Sequence, residues 1–254
     1  MMASIQSTIQ DGIAILTITN ESRRNAFSSD MTHALGEHLQ LAEADPHIRC
    51  VIITGAGKQA FSSGHDLREM LQEREHASDP QANDPFIAPL RMRTPTIAAI
   101  NGYAYAAGFI LSIACDMRVV DANAKFCAPG ARIGLLPIAG QLSRLAGLIP
   151  RAIAHELLVT SRVMDAQEAH RLGFVNQITA PGNALEGAMI IAQMIVSNAF
   201  GVVCSIKQGL EISERQGVKD AEQFEWQEGK RLQSAPDAEE GMRAFLEKRT
   251  PRFV

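Results

Sequence analysis

Two short segments carry the residues best placed to do chemistry: Ser62-Ser63-Gly64-His65-Asp66-Leu67 and Asn101-Gly102-Tyr103-Ala104-Tyr105-Ala106-Ala107-Gly108. Each follows an apolar, strand-like run and leads into a helical pattern. The first N–H groups of such a helix have no intrahelical acceptor and can be aimed at an anionic oxygen. Two helix starts converging on one point form a hole for an oxygen that develops negative charge, and the hole needs backbone only. Side chains that could add acid, base or hydrogen-bonding chemistry are His65, Tyr103, Tyr105, Glu69 and Glu73, with Gln141, Ser143 and Arg144 further along.

Each has a plainer structural reading. Asp66 reads as the cap of the helix that follows it. The His65 imidazole either contacts a ligand or lines a wall. Glu69 and Glu73, one turn apart, read as a solvated helix face. The segment Gly55-Ala56-Gly57-Lys58-Gln59-Ala60 fits the spacing of a dinucleotide fingerprint. That motif needs a helix starting within it and an acidic residue about 20 positions later at a strand end, and neither is present. Cys50, Cys115, Cys127 and Cys204 lie far apart, and their spacing suggests neither a disulfide framework nor a zinc site.

The elements around these loops point to an α/β protein. Two strand-like runs flank Asp11-Gly12, a hairpin signal. From Ser28 to Ala44, Met31, Leu35, Leu39 and Ala42 fall on one helical face. The run Cys50 to Thr54 is apolar on both faces, as a covered strand must be. Strand, loop and helix then recur. The polar, twice proline-broken stretch from Glu75 to Pro85 reads as a mobile flap. A boundary near Asn198 divides a core, residues 1–198, from a helical appendage, residues 199–254. The 254 residues carry a net charge of −4, which argues against a nucleic-acid footprint. The N-terminus shows no targeting pattern, and the composition suggests no membrane partner and a cytoplasmic location.

Beyond the two loops, several segments occur in a telling order: Asn25-Ala26-Phe27, Cys115-Asp116, Phe126-Cys127-Ala128-Pro129, Gly134-Leu135-Leu136-Pro137, Glu168-Ala169 and Gly173-Phe174-Val175-Asn176. A closing run from Glu240 to Pro251 follows. Together with the loops they resemble the crotonase, or enoyl-CoA hydratase/isomerase, family. The resemblance implies a spiral of repeated ββα units with a C-terminal helical trimerisation region, assembled as homotrimers or dimers of trimers. It implies an acyl-CoA thioester as ligand, with coenzyme A entering as part of the substrate and no separate cofactor.

Residue by residue, the resemblance places the oxyanion N–H donors at His65 and Ala107. Alanines at 106 and 107, where a glycine pair is usual, imply ordinary negative φ at both. Arg23, Arg24, Arg68 and Lys248 match positions that meet the CoA phosphates. Tyr105 either faces the acyl group or packs as an aromatic. The two catalytic glutamates of the hydratases match Ile110 and Gly130, which carry no titratable atom. Three activities stay open: enolate-stabilising chemistry on an acyl-CoA, hydrolysis of a thioester or C–C bond in the same hole, and acyl-CoA binding without catalysis.

Overall fold

The hairpin signal is realised as β1 (Ser4–Gln10) and β2 (Ile13–Thr19), antiparallel and joined through Asp11 and Gly12 at φ 50° and 77°. Positive φ at both turn residues suits the right-handed twist of a hairpin, and Asp-Gly adopts it readily. The structure is a computed structural model and describes residues 3–72 and 79–253. In it β2 runs parallel to β3 (Cys50–Gly55), β3 to β5 (Thr96–Ile100), and β5 to β7 (Met117–Asp121). With β10 (Gln177–Thr179) they form a six-stranded sheet in the order β1-β2-β3-β5-β7-β10.

Alternate residues of this sheet enter different cores. Val51 and Ile53 pack with Met31, Leu35, Leu39 and Ala42 of α1 (Ser29–Ala44), whereas Cys50 and Ile52 pack with Ala184, Ala188 and Ala192 of α9 (Ala184–Val196). Both faces are thus covered, which accounts for the unbroken apolar run of β3. Ser28 caps α1 by accepting from the Met31 N–H at 3.2 Å.

A second, four-stranded sheet has the order β4-β6-β8-β9, made of β4 (Ala60–Ser62), β6 (Tyr103–Tyr105), β8 (Lys125–Cys127) and β9 (Met164–Asp165). Each long strand hands the chain to a short one and then to a helix. The repeats are β3-β4-α2 with α2 at Leu67–Gln72, β5-β6-α4 with α4 at Ala107–Ala114, and β7-β8-α5 with α5 at Gly130–Ile133. Short helices α6 (Leu145–Leu148), α7 (Arg151–Thr160) and α8 (Ala166–Arg171) lead to β10. Beyond Asn198 the chain is helical through α10 (Phe200–Gln216), α11 (Val218–Gln233) and α12 (Pro236–Leu246). Lys207 of α10 reaches back to the core, donating to Pro89 O, Thr94 O and Asp116 Oδ2. Among the described residues no single helix is long and apolar enough to cross a membrane.

Two expectations are corrected. The described part of the polar stretch is not a loop: residues Pro80–Ile87 form α3, capped by Asp79, whose carboxylate accepts from the Gln81 N–H at 2.9 Å. Pro80 stands at the helix start, where its missing N–H costs nothing. Pro85 forfeits a hydrogen bond, but Phe86 beside it is fully buried and meets the Phe27 ring edge-on at 4.8 Å. Burial of that ring contributes ~2 kcal/mol or more, of the same order as the ~3 kcal/mol an interior proline costs, and offsets most of it. Glu73 and the flap residues from Glu75 to Ser78 lie outside the described residues.

The second correction concerns Ala106, which adopts φ 47° and ψ −116° and not the ordinary negative φ. The neighbouring strand β8 and helix α4 fix it there: its N–H donates to Cys127 O at 3.0 Å, and its carbonyl accepts from Ile110 N at 2.9 Å. A side chain in this region costs ~1–3 kcal/mol, more than the ~0.5–1 kcal/mol entropic cost of glycine. Ala106→Gly is therefore expected to raise the melting temperature by about 2–4 °C. A fall on thermal unfolding would contradict the strain. At Gly108 the sign reverses, because a Cβ there would lie 2.6 Å from Ser62 O. Gly108→Ala is expected to lower stability by ~1–3 kcal/mol, read from denaturant unfolding; an unchanged midpoint would contradict that close approach.

Candidate active site

The two loops meet through residues that lack bulk. A Cβ on Gly64, itself at φ 101°, would lie 2.6 Å from the Ala106 Cβ and 3.2 Å from the Ala107 nitrogen. Phe27 clamps the first loop on either side of His65: its N–H donates to Gly64 O, and its carbonyl accepts from Asp66 N, each at 2.8 Å. In such a parallel bridge the intervening residue turns its own N–H away from Phe27. Ala107 is the first residue of α4, so its N–H has no partner one turn back.

His65, Ala106 and Ala107 line one cavity of about 380 Å³. Its walls are mostly apolar, with Leu67, Met70, Ile110, Ile133, Leu135 and Leu136 among them; the polar side chains are Ser63, His65, Asn83 and Gln141. No aspartate or glutamate lines it among the described residues. A smaller, more polar cavity of about 200 Å³ adjoins it, sharing His65 and Met70.

Ile110 is 4% exposed and faces this space from the second turn of α4. Gly130 lines the opposite side at the start of α5. A Cβ at Gly130 would collide with the Leu135 carbonyl oxygen and press on Pro137, so the chain after α5 fills the room that a longer side chain would need. His65 stands edge-on to Phe86 at 4.9 Å, with Nε2 3.4 Å from Asn83 Oδ1. Asn83 donates through Nδ2 to Asp79 O at 2.9 Å, which leaves its oxygen toward the imidazole and favours a proton on Nε2. The imidazole thus forms part of the cavity wall.

The remaining sequence candidates scatter. Tyr105 is absent from the cavity lining, and its ring packs on Tyr103 at 5.4 Å. Burial, with smaller contributions from Cys127 and Tyr103, raises its phenol above the ordinary range. Strand alternation is the reason: Ala104 points inward from β6, and the tyrosines on either side of it point the other way. Arg23 is ion-paired with Asp66. Arg24 and Arg68 are exposed beside the first loop, with Arg24 O accepting from Ser63 N at 3.0 Å. Lys248 is exposed past α12 and lines neither cavity. Glu69 caps α1, accepting from the Ser29 N–H at 2.8 Å. Ser143 is exposed, and Arg144 is bound to Glu211 and Glu214 of α10. Cys127 is buried, its thiol raised by desolvation.

Asp66 caps α2 by accepting from the Arg68 N–H at 2.9 Å. Burial pushes its carboxyl upward, but that N–H and the Arg23 guanidinium outweigh it and hold the group below its ordinary value of 3.8. The stabilisation is therefore complete above the ordinary value and is lost as pH falls through the lowered one. Sequence reasoning missed Asn83, which lay in the segment read as a flap, and left Gln141 without a role.

The family model for enoyl-CoA hydratase/isomerase matches residues 8–254. The chain is 34% identical over 248 residues to the carnitinyl-CoA dehydratase of Proteus mirabilis, covering 95% of each protein. It is 34% identical over 246 residues to that of Salmonella typhi, covering 93% of this chain and 94% of the relative. Among solved structures, the enoyl-CoA hydratase of Polaromonas sp. JS666 superposes with a TM-score of 0.92 at 34% identity, over 99% of this chain and 100% of that one. The enoyl-CoA hydratase of Bacillus anthracis gives a TM-score of 0.93 at 30% identity, over 98% of both chains. The ββα repeats, the paired loops and the helical C-terminal region are those of the crotonase fold, and the chain belongs to the enoyl-CoA hydratase/isomerase family.

Proposed function

We propose that this protein binds an acyl-CoA thioester and holds its carbonyl oxygen between the backbone N–H groups of His65 and Ala107. The observation that carries the reading is the contact of Gly64 with Ala106 and Ala107, which brings both donors to the rim of one largely apolar cavity. As the α-carbon gives a proton to water or its carboxylate leaves as carbon dioxide, the electron pair left behind delocalises onto the thioester oxygen. A preorganised N–H at that oxygen is worth ~3–4 kcal/mol. The acyl chain then lies against Ile110, Leu135 and Leu136, and the exposed Arg24 and Arg68 are available to the CoA phosphates. Arg23, engaged by Asp66, serves mainly to hold the first loop.

Ordinary hydration also needs a base for the water and an acid for the α-carbon, each contributing about 10²- to 10⁴-fold. The walls offer an isoleucine and a glycine where the hydratases of the resemblance carry glutamates. We therefore assign an enolate-stabilising role without the carboxylate pair. The same two residues favour a second reading, a thioester-binding protein with no turnover. Purified protein mixed with crotonyl-CoA is expected to bind it by calorimetry, while the enoyl absorbance decays at least about 10²-fold more slowly than with a relative carrying both carboxylates. Decay at the relative's rate would overturn the assignment, and failure to bind any CoA thioester would overturn the thioester reading itself.

The C-terminal helices carry large apolar side chains in the open, with Trp226 83% and Phe245 84% exposed in the single chain. Exposure of this kind on α11 and α12 supports self-association. Sedimentation equilibrium at micromolar concentration is expected to give a trimer or a multiple of three, whereas a monomer would contradict this.

A further inference from the structure

Gln141 is 4% exposed and lines the large cavity, yet its side-chain amide has no hydrogen-bond partner among the described residues. It is not sealed off either: among the described residues the only fully enclosed side-chain polar atom without a partner is Ser161 Oγ. The amide atoms therefore open on the cavity. The backbone that carries them is firmly set. Ala139 at φ 53° and Gly140 at φ 95° turn the chain, Gln141 N donates to Ile138 O at 3.2 Å, and Arg144 fastens the next turn to Glu211 at 2.8 Å. The cavity wall that Gln141 shares includes Ile133, Leu135, Leu136, Pro137 and Ile138. An amide offers two donors and an acceptor, and leaving them unmet in an apolar wall is costly.

From this geometry we infer that Gln141 is a specificity-determining residue that reads a neutral hydrogen-bonding group, a hydroxyl or oxo oxygen, on an otherwise apolar acyl chain. The inference rests on the thioester reading above. A plain alkyl chain filling the cavity would bury the amide without a partner. A chain with a hydroxyl or oxo group in reach would satisfy it, and sites built this way discriminate strongly against analogues that lack the group. A cationic chain gains nothing from a neutral amide in a wall whose described residues include no carboxylate and no Phe, Tyr or Trp ring.

The test is calorimetric binding of octanoyl-CoA and its 3-, 5- and 7-hydroxy derivatives to the full-length protein and to Gln141→Leu, with thermal unfolding to show that the variant is folded. The wild type is expected to bind at least one hydroxy derivative about tenfold more tightly than octanoyl-CoA. Gln141→Leu is expected to abolish that preference and to bind octanoyl-CoA at least as well as before. No preference in the wild type, or a preference that survives in the folded variant, overturns the role of Gln141 alone. Failure of all four thioesters to bind overturns the thioester reading and this inference with it. If Gln141→Leu does not fold, Gln141→Met, similar in length and without the amide, replaces it under the same criteria.

Discussion

The site depends on one steric constraint: the turn after β4 and the start of α4 must touch with almost no side chain between them. Gly108 passes under Ser62, and Gly64 lies against Ala106. Interiors are close-packed, so an extra methyl at either glycine has nowhere to go. Buried polar groups hold this arrangement from both sides. Asn25 donates to Ala56 O and Ala60 O at 2.9 and 2.7 Å, and Ser62 Oγ donates to Asn25 O at 2.8 Å. Asn101 accepts from Gly55 N and donates to Gly55 O and Gly57 O. The asparagines at the head of each motif are thus structural ties, and the contact they secure leaves two backbone donors on the cavity rim.

On the proposed reading, that arrangement separates binding a carbonyl from moving protons. The first needs only backbone, so it tolerates His65 and the two alanines in the loops. The second needs titratable side chains, and none of the described acidic groups lines the large cavity. Glu69 is occupied at the start of α1, Asp66 at the start of α2, and Asp116 holds Thr96 and Lys207. Carboxylates close to the site in sequence have been drawn into holding the fold. What faces the cavity is apolar wall, an imidazole turned toward Asn83, and the Gln141 amide.

Much of this was legible in the sequence, where local chemistry decides. Asp11-Gly12 dictated a hairpin, the spacing of Met31, Leu35, Leu39 and Ala42 gave the buried face of α1, and the runs before each loop gave the strands. The sequence was less informative where distant contacts decide. Pro80 and Pro85 suggested a loop, yet Phe86 needed burial against Phe27 and drew the segment into a helix. Ala106 suggested ordinary backbone, but hydrogen bonds from β8 and α4 hold it at positive φ. Tyr105 stayed open between a ligand contact and aromatic packing because its distance from the alanines in sequence does not say which face of β6 it occupies. The isolation of Gln141 depends on what surrounds it in space, and no local pattern records that.

The central claim is that two backbone N–H groups polarise a thioester carbonyl without help from carboxylates. Infrared difference spectroscopy of an acyl-CoA labelled with carbon-13 at the thioester carbonyl reads that bond directly. On binding, the labelled stretch is expected to move to lower frequency and to stay there across the pH range in which carboxylates titrate, for as long as the protein remains folded. A bound ligand whose carbonyl stretch matches that in water would contradict the account.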